Sequence, residues 1–186
     1  MRDIDDVVTI YLPTTEPLAA LTASAILHPW VLFQTSADAR AALLEALFDT
    51  APQIRKIQFA RQWNPRSGDL DPPDVDLDLP DWFDEPKLEE IEGPSDMVIE
   101  DFMETQTKGE WIVRTKHLAR LTFEGFATFS DFYANDEPDI EVLDPNWNEH
   151  VMWIATHRVV TVTSEVRCTI VNNEVKNVVP IQVEVK

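Results

Sequence analysis

The chain has 186 residues, of which 44% are apolar, with a formal net charge of −19, one cysteine and no long apolar run. A single cysteine excludes an internal disulfide framework, and neither a signal peptide nor a membrane span is recognisable, so we expect a cytoplasmic protein. The charge makes naked nucleic acid and anionic membranes poor partners.

The first part of the chain has the features of short helices. A strand is predicted at 7–12, and a helix is predicted to begin near Pro17 and to end before His28, because the residue preceding a proline disfavours the α conformation. Ser36 is a good N-cap for a second helix over residues 37–48, and Pro52 suits the first turn of a third.

The acidic residues are concentrated in the middle of the chain. Residues 64–105 contain fifteen acidic residues, two basic residues and six prolines, whereas the segments on either side are close to neutral. We interpret 1–186 as a single domain, with a mainly helical part at 1–63, an acidic proline-rich connection at 64–105 and a β-rich part at 106–186. Within the connection, Ser95 is predicted to cap a short helix that extends to Met103.

The β-rich part ends in a long hairpin. Apolar side chains occupy every second position before and after Asn172-Asn173, and their parity changes across this pair, as a two-residue turn requires. The predicted register places Ile170 opposite Val175, Val166 opposite Val179, Val162 opposite Val183 and Val160 opposite Val185. Val179 and Ile181 would then lie on the inner face, while Pro180 marks an edge strand.

A second alternating segment, residues 119–129, is interrupted by Gly125, where we expect a bulge. Together these patterns predict an α+β fold with N-terminal helices packed on a mainly antiparallel C-terminal sheet that ends in the long β-hairpin.

Motifs for metals and cofactors are weak. Asp74, Asp76, Asp78 and Glu85 have the spacing of a calcium loop, but Leu79 stands where that loop needs glycine. The four histidines have no His or Cys partner at zinc-ligand spacing, and four glycines give no phosphate-binding loop. Cys168 lies on an apolar strand face and is predicted to be a buried thiol. We therefore predict neither a metal nor a cofactor.

The sequence favours a non-catalytic acidic interaction protein that binds a basic protein surface. An inhibitor, an antitoxin or immunity-type protein, or a nucleic-acid mimic would follow this logic, and its partner would itself be nucleic-acid-binding or nucleolytic. The predicted partner-binding residues are carboxylates with two aromatic rings among them: Asp74, Asp76, Asp78, Asp81, Trp82, Phe83, Asp84, Glu85, Glu89 and Glu90.

Two alternatives stay open. The first is a metal-dependent or acid–base enzyme whose site is assembled from scattered groups, namely Asp131, Asp136, Asp139, Glu149 and His150. The second is a structural subunit of a larger assembly that pairs through its edge strand.

Overall fold

The computed structural model describes residues 28–135 and 137–186; the strand predicted at 7–12 and the helix predicted from Pro17 lie outside this part of the chain. The first elements of the described residues are three helices: α1 (Pro29–Thr35), α2 (Ala37–Phe48) and α3 (Ala51–Ile54). Ser36 caps α2 as predicted, because its hydroxyl accepts a hydrogen bond from the amide of Ala39 at 3.2 Å.

Seven strands and one more helix follow in the described part of the chain. They are β1 (Gln62–Asn64), β2 (Asp69–Asp71), β3 (Asp84–Glu104), β4 (Glu110–Thr128), α4 (Phe129–Ala134), β5 (Ile140–Asp144), β6 (Val151–Val171) and β7 (Glu174–Val185). β1 and β2 form a small antiparallel pair. The other five strands form one antiparallel sheet in the order β3-β4-β6, and β5 and β7 share the far edge of β6.

The N-terminal helices pack on one face of this sheet, so the predicted α+β architecture is confirmed. Side chains of α1 and α2 such as Phe33, Leu43 and Leu47 join a buried cluster with Val113 of β4 and Val166 of β6. A second buried cluster on the same face lies towards the end of the sheet where β4 ends and β6 begins. The opposite face, here called the outer face, carries more polar side chains.

The helix predicted from Ser95 to Met103 is wrong, because these residues belong to the long strand β3. β3 pairs antiparallel with β4 over nearly its whole length, with Val98 opposite Lys116 and Phe102 opposite Val113. The edge of β4 satisfies backbone groups that a short isolated helix would leave exposed at its ends, so tertiary pairing overrides the local helical pattern.

The hairpin turns at Asn172-Asn173 as predicted, and both residues have positive φ, of 52° and 62°. The predicted register is correct only next to the turn, at Ile170 and Val175. Two irregularities then shift it, so that Val166 lies opposite Pro180 and Val162 opposite Val185.

Because of these bulges, the prediction that Val179 and Ile181 lie on the inner face is wrong. Val179 and Ile181 are 49% and 39% exposed, whereas Val178 packs against the helical cluster. One extra residue moves every following side chain to the other face, and a second restores the original parity. Asn177, with φ of 52°, and Pro180, which has no N–H to donate, lie in this irregular part of the strand.

The bulge expected at Gly125 lies on the neighbouring strand instead. β4 pairs with β6 without a break at Gly125, while β3 has an extra residue between the partners of Phe126 and Glu124. A Cβ at Gly125 would lie 2.5 Å from Cε2 of Phe83 and 2.6 Å from the carbonyl oxygen of Asp84. Glycine is needed there because Phe83 and the carbonyl of Asp84 lie directly against the backbone of Gly125.

An acidic cleft as the candidate functional site

The segment between β2 and β3 is extended and anchored by its apolar side chains. Val75, Leu77 and Leu79 pack against the buried cluster, while the intervening Asp76 and Asp78 are exposed, as the alternation in the sequence predicts. Period-two alternation allows one side of an extended chain to be buried while the other side stays in water.

Arg158 of β6 fixes this segment through its main chain. Its Nε donates to the carbonyl of Leu77 at 3.2 Å and its Nη2 to the carbonyl of Asp78 at 3.3 Å, while Nη1 donates to Thr156 Oγ1 at 2.8 Å. Asp78 has a φ of 54° and its amide donates to Asp76 Oδ1 at 3.0 Å, which closes a local turn. The guanidinium thus orders the acidic segment through carbonyl groups.

A cleft of about 1020 Å³ opens between this segment and the turn that precedes β5. Its charged lining is predominantly acidic, with two arginines among the carboxylates. Those charged residues are Arg61, Asp76, Asp78, Asp81, Asp84, Glu85, Glu137, Asp139 and Arg158. Arg61 lies 3.6 Å from a carboxylate oxygen of Asp81, and both side chains are largely exposed, so this ion pair is weak.

The cleft contains six of the ten predicted partner-binding residues, namely Asp76, Asp78, Asp81, Phe83, Asp84 and Glu85. The other four, Asp74, Trp82, Glu89 and Glu90, lie outside its lining. Asp74 Oδ2 accepts a hydrogen bond from the amide of Gln58 at 3.0 Å, so this carboxylate is engaged within the chain.

The two predicted aromatic residues face the core. Phe83 is 4% exposed and lies on Gly125, and Trp82 is half-buried with its ring edge-on to Phe132, at a centroid distance of 6.5 Å. Trp82 and Phe83 therefore hold the start of β3 in place, and the carboxylates are the groups that this region exposes to solvent.

Sequence reasoning missed Glu137 as part of the same site and assigned Asp139 to a different hypothesis. Both residues line the cleft from the turn before β5, more than fifty positions after Asp84. The local sequence does not predict that Glu137 and Asp139 line the cleft, because their position depends on how β5 pairs with β6.

The scattered groups of the enzyme hypothesis do not converge in the described structure. In residues 28–135 and 137–186, no three His, Cys, Asp or Glu side chains are grouped to hold a metal ion. Asp131 is at the start of α4, where Thr128 Oγ1 donates to its Oδ2 at 2.7 Å. Glu149 and His150 are exposed in the loop before β6, and Asp136 lies outside the described residues.

Cys168 and His157 lie on opposite faces of β6. Cys168 is fully buried against the helical cluster, and burial raises the pKa of its thiol to about 11, so the thiolate is disfavoured at neutral pH. His157 lies on the outer face, where its Nδ1 is 3.0 Å from Thr122 Oγ1. A nucleophile–base pair of these two residues is excluded by this geometry.

None of the helices in the described part of the chain has the length and apolar character needed to cross a membrane. No protein-family profile matches the sequence, and neither a curated protein nor a solved structure is significantly similar to it.

Proposed function

We propose that this chain is a non-catalytic, cytoplasmic interaction protein that binds a basic protein surface through the acidic cleft. The observation that carries the proposal is the cleft lining, in which seven carboxylates accompany two guanidinium groups. One of those groups, Arg158, is engaged with main-chain carbonyls of Leu77 and Asp78. A cationic partner would supply the charge that the cleft itself does not balance.

The rigidity of the cleft supports this function. Asp76 and Asp78 project from a segment whose partly buried apolar residues pack against the core and whose carbonyls bind Arg158, so the segment is ordered before binding. A preorganised surface loses less conformational entropy when a partner binds than a flexible acidic tail does. The high negative charge would also accelerate encounter with a basic partner.

A nucleic-acid-binding or nucleolytic protein is the class of partner that we propose. Such proteins present a basic groove shaped for phosphates, and exposed carboxylates on an anchored segment, such as those of Asp76 and Asp78, can occupy such a groove. The chain would then act as an inhibitor, an antitoxin or immunity-type protein, or a nucleic-acid mimic.

A pair of matched charge variants tests the proposal. The cleft variant combines Asp76→Asn, Asp78→Asn and Asp81→Asn, and the control combines Glu45→Gln, Asp96→Asn and Glu100→Gln, three exposed acids outside the cleft. Both variants have the same net charge. Affinity for a fluorescent arginine-rich peptide is measured by anisotropy at several salt concentrations.

We expect the cleft variant to bind the peptide at least about tenfold more weakly, while the control changes by less than about twofold, and we expect affinity to fall as salt rises. Equal losses in both variants would show that only net charge matters, and an affinity independent of salt would overturn the proposal. Circular dichroism would verify that both variants remain folded.

A second candidate function is assembly through the β7 edge of the sheet. β7 pairs only with β6 among the described strands, and Val171, Val179 and Ile181 are exposed beside this edge. An unpaired edge with apolar neighbours can add a strand from another chain. Size-exclusion chromatography coupled to light scattering would reveal such an assembly, and Ile181→Lys should dissociate it.

A further inference from the structure

Three aromatic rings form a patch on the outer face of the sheet. Phe126 of β4 and Trp153 of β6 are cross-strand partners, and Trp147 from the loop before β6 packs against both. The ring centroids of Trp147 lie 5.7 Å from Phe126 and 5.4 Å from Trp153. Trp147 is 50% exposed, so this aromatic patch is open to solvent.

Carboxylates flank the aromatic patch on both sides. Asp84 is the β3 partner of Phe126, and Asp144 is the β5 partner of Trp153, so one row across four strands has an acid at each end and two rings between them. The next row carries Glu124 on β4, paired with Ala155 of β6. The two acids at the ends of the row lie beside register shifts, and Asp144 Oδ1 accepts a hydrogen bond from the amide of Asn146 at 2.8 Å. Glu124 is two residues from Phe126 on the same face of β4, where pairing with β6 is regular, so it is the carboxylate that the sheet places beside the rings.

We propose that this aromatic patch binds the guanidinium group of an arginine side chain from the basic partner. The inference rests on the proposed function and adds a specific anchor to it. A cation over the face of a tryptophan is attracted by the ring, and nearby carboxylates can accept its hydrogen bonds. Asp84 also lines the acidic cleft, which opens on the inner face, so the two sites lie on opposite faces of the sheet and share this residue of the edge strand β3.

The ring geometry favours a guanidinium over other ligands. The plane of Trp147 is tilted by 34° from Phe126 and by 57° from Trp153, so the three rings offer no common flat surface on which a sugar could lie. The flanking acids would repel the phosphates of a nucleic acid. A guanidinium is planar and donates hydrogen bonds in several directions, so it can stack on one ring and bind a carboxylate at its edge.

Nuclear magnetic resonance tests the site directly with N-acetyl-arginine amide as the probe. The indole N–H signals of Trp147 and Trp153 should shift on titration, whereas the signal of Trp30 should not. Trp30 is the matched control because it is 47% exposed but packs edge-on to Phe102, which is far from the patch in the sheet register. Equal shifts at Trp30 and Trp147, or no shift at Trp147, would overturn the inference. Larger shifts with a neutral disaccharide than with the arginine probe would also overturn it.

Binding of the arginine-rich peptide separates this inference from the proposed function. Trp147→Ala should weaken peptide binding by about three- to tenfold, and Trp30→Ala should leave it unchanged. If the peptide binds to the acidic cleft but Trp147→Ala has no effect, the anchor is wrong and the proposed function stands. If the peptide fails to bind while the arginine probe shifts Trp147, the proposed function fails and the arginine site remains.

Discussion

Arg158 binds Asp78 through the main chain, with 3.3 Å between Nη2 and the carbonyl oxygen, and leaves the carboxylate of Asp78 on the cleft. These hydrogen bonds to main-chain carbonyls order a segment that contains many acids. The positive charge of Arg158 reduces the electrostatic repulsion between the carboxylates, while its N–H groups donate hydrogen bonds to carbonyl oxygens.

Replacement of Arg158 by methionine should loosen the acidic segment. The carbonyls of Leu77 and Asp78 would lose their donors, and we expect the free energy of unfolding to fall by about 1–3 kcal/mol. Arg120→Met is the control, because Arg120 makes an exposed ion pair with Glu92 at 3.8 Å that is worth at most about 1 kcal/mol. Urea unfolding measures both, and equal losses would contradict the anchoring role.

Gly125→Ala should destabilise the start of β3. The added methyl group would meet Phe83 and the carbonyl of Asp84 at distances that force them apart, and we expect a loss of about 1–3 kcal/mol. Gly68→Ala provides the comparison, because Gly68 has a φ of 76° but no atom within 4 Å of the new Cβ, so only backbone strain of about 1 kcal/mol applies. A loss at Gly125 no larger than that at Gly68 would refute the close contact.

His117 should make stability depend on pH. It is buried on the inner face, its Nδ1 has no hydrogen-bond partner among the described residues, and burial lowers its pKa below the ordinary value of 6.5. Below pH 6.5 the unfolded chain therefore binds a proton that the folded chain does not, and the free energy of unfolding falls with decreasing pH until the folded pKa is reached.

The comparison with His117→Leu isolates this effect. In the window below pH 6.5, the wild-type chain should lose up to about 1.4 kcal/mol per pH unit more than the variant. Urea unfolding between pH 7.5 and 5.5 measures the difference between the two slopes. Parallel curves would show that His117 takes up its proton equally well in the folded protein.

The turn of the closing hairpin can be tested at Asn172. Its φ of 52° costs an alanine about 1–2 kcal/mol, whereas glycine adopts this conformation freely. We expect Asn172→Ala to lower the melting temperature and Asn172→Gly to leave it nearly unchanged. Similar melting temperatures for the two variants would argue against a left-handed conformation at this position.

The local parts of the fold could be predicted from the sequence. Asn172-Asn173 has the residue types of a tight turn, and Ser36 is a typical cap, so both follow from chemistry within a few residues. The register beyond the turn could not be predicted, because parity alone does not show where the irregular stretch around Asn177 and Pro180 inserts extra residues.

One wall of the candidate site, the acidic segment, could also be predicted from the sequence. Alternation of Asp76 and Asp78 with apolar neighbours predicts a displayed acidic surface, and the structure places both on the cleft. The opposite wall, with Glu137 and Asp139, depends on non-local strand pairing. The contact of Phe126 with Trp147 and Trp153 likewise forms only when separate elements pair, so the spacing of these residues along the chain does not predict it.

β6 is paired with β4 from Val151 to Thr169, and its other edge is divided between β5 and β7. Its main-chain amides are therefore bonded on both sides of the strand along most of its length. In amide hydrogen exchange, residues 162–169 of β6, which lie between β4 and β7, should remain protected until the whole domain unfolds, whereas the edge strands open locally. Arg158 lies between the stretches of β6 that pair with β5 and β7, so the anchor of the acidic segment is held in the sheet by the pairing with β4.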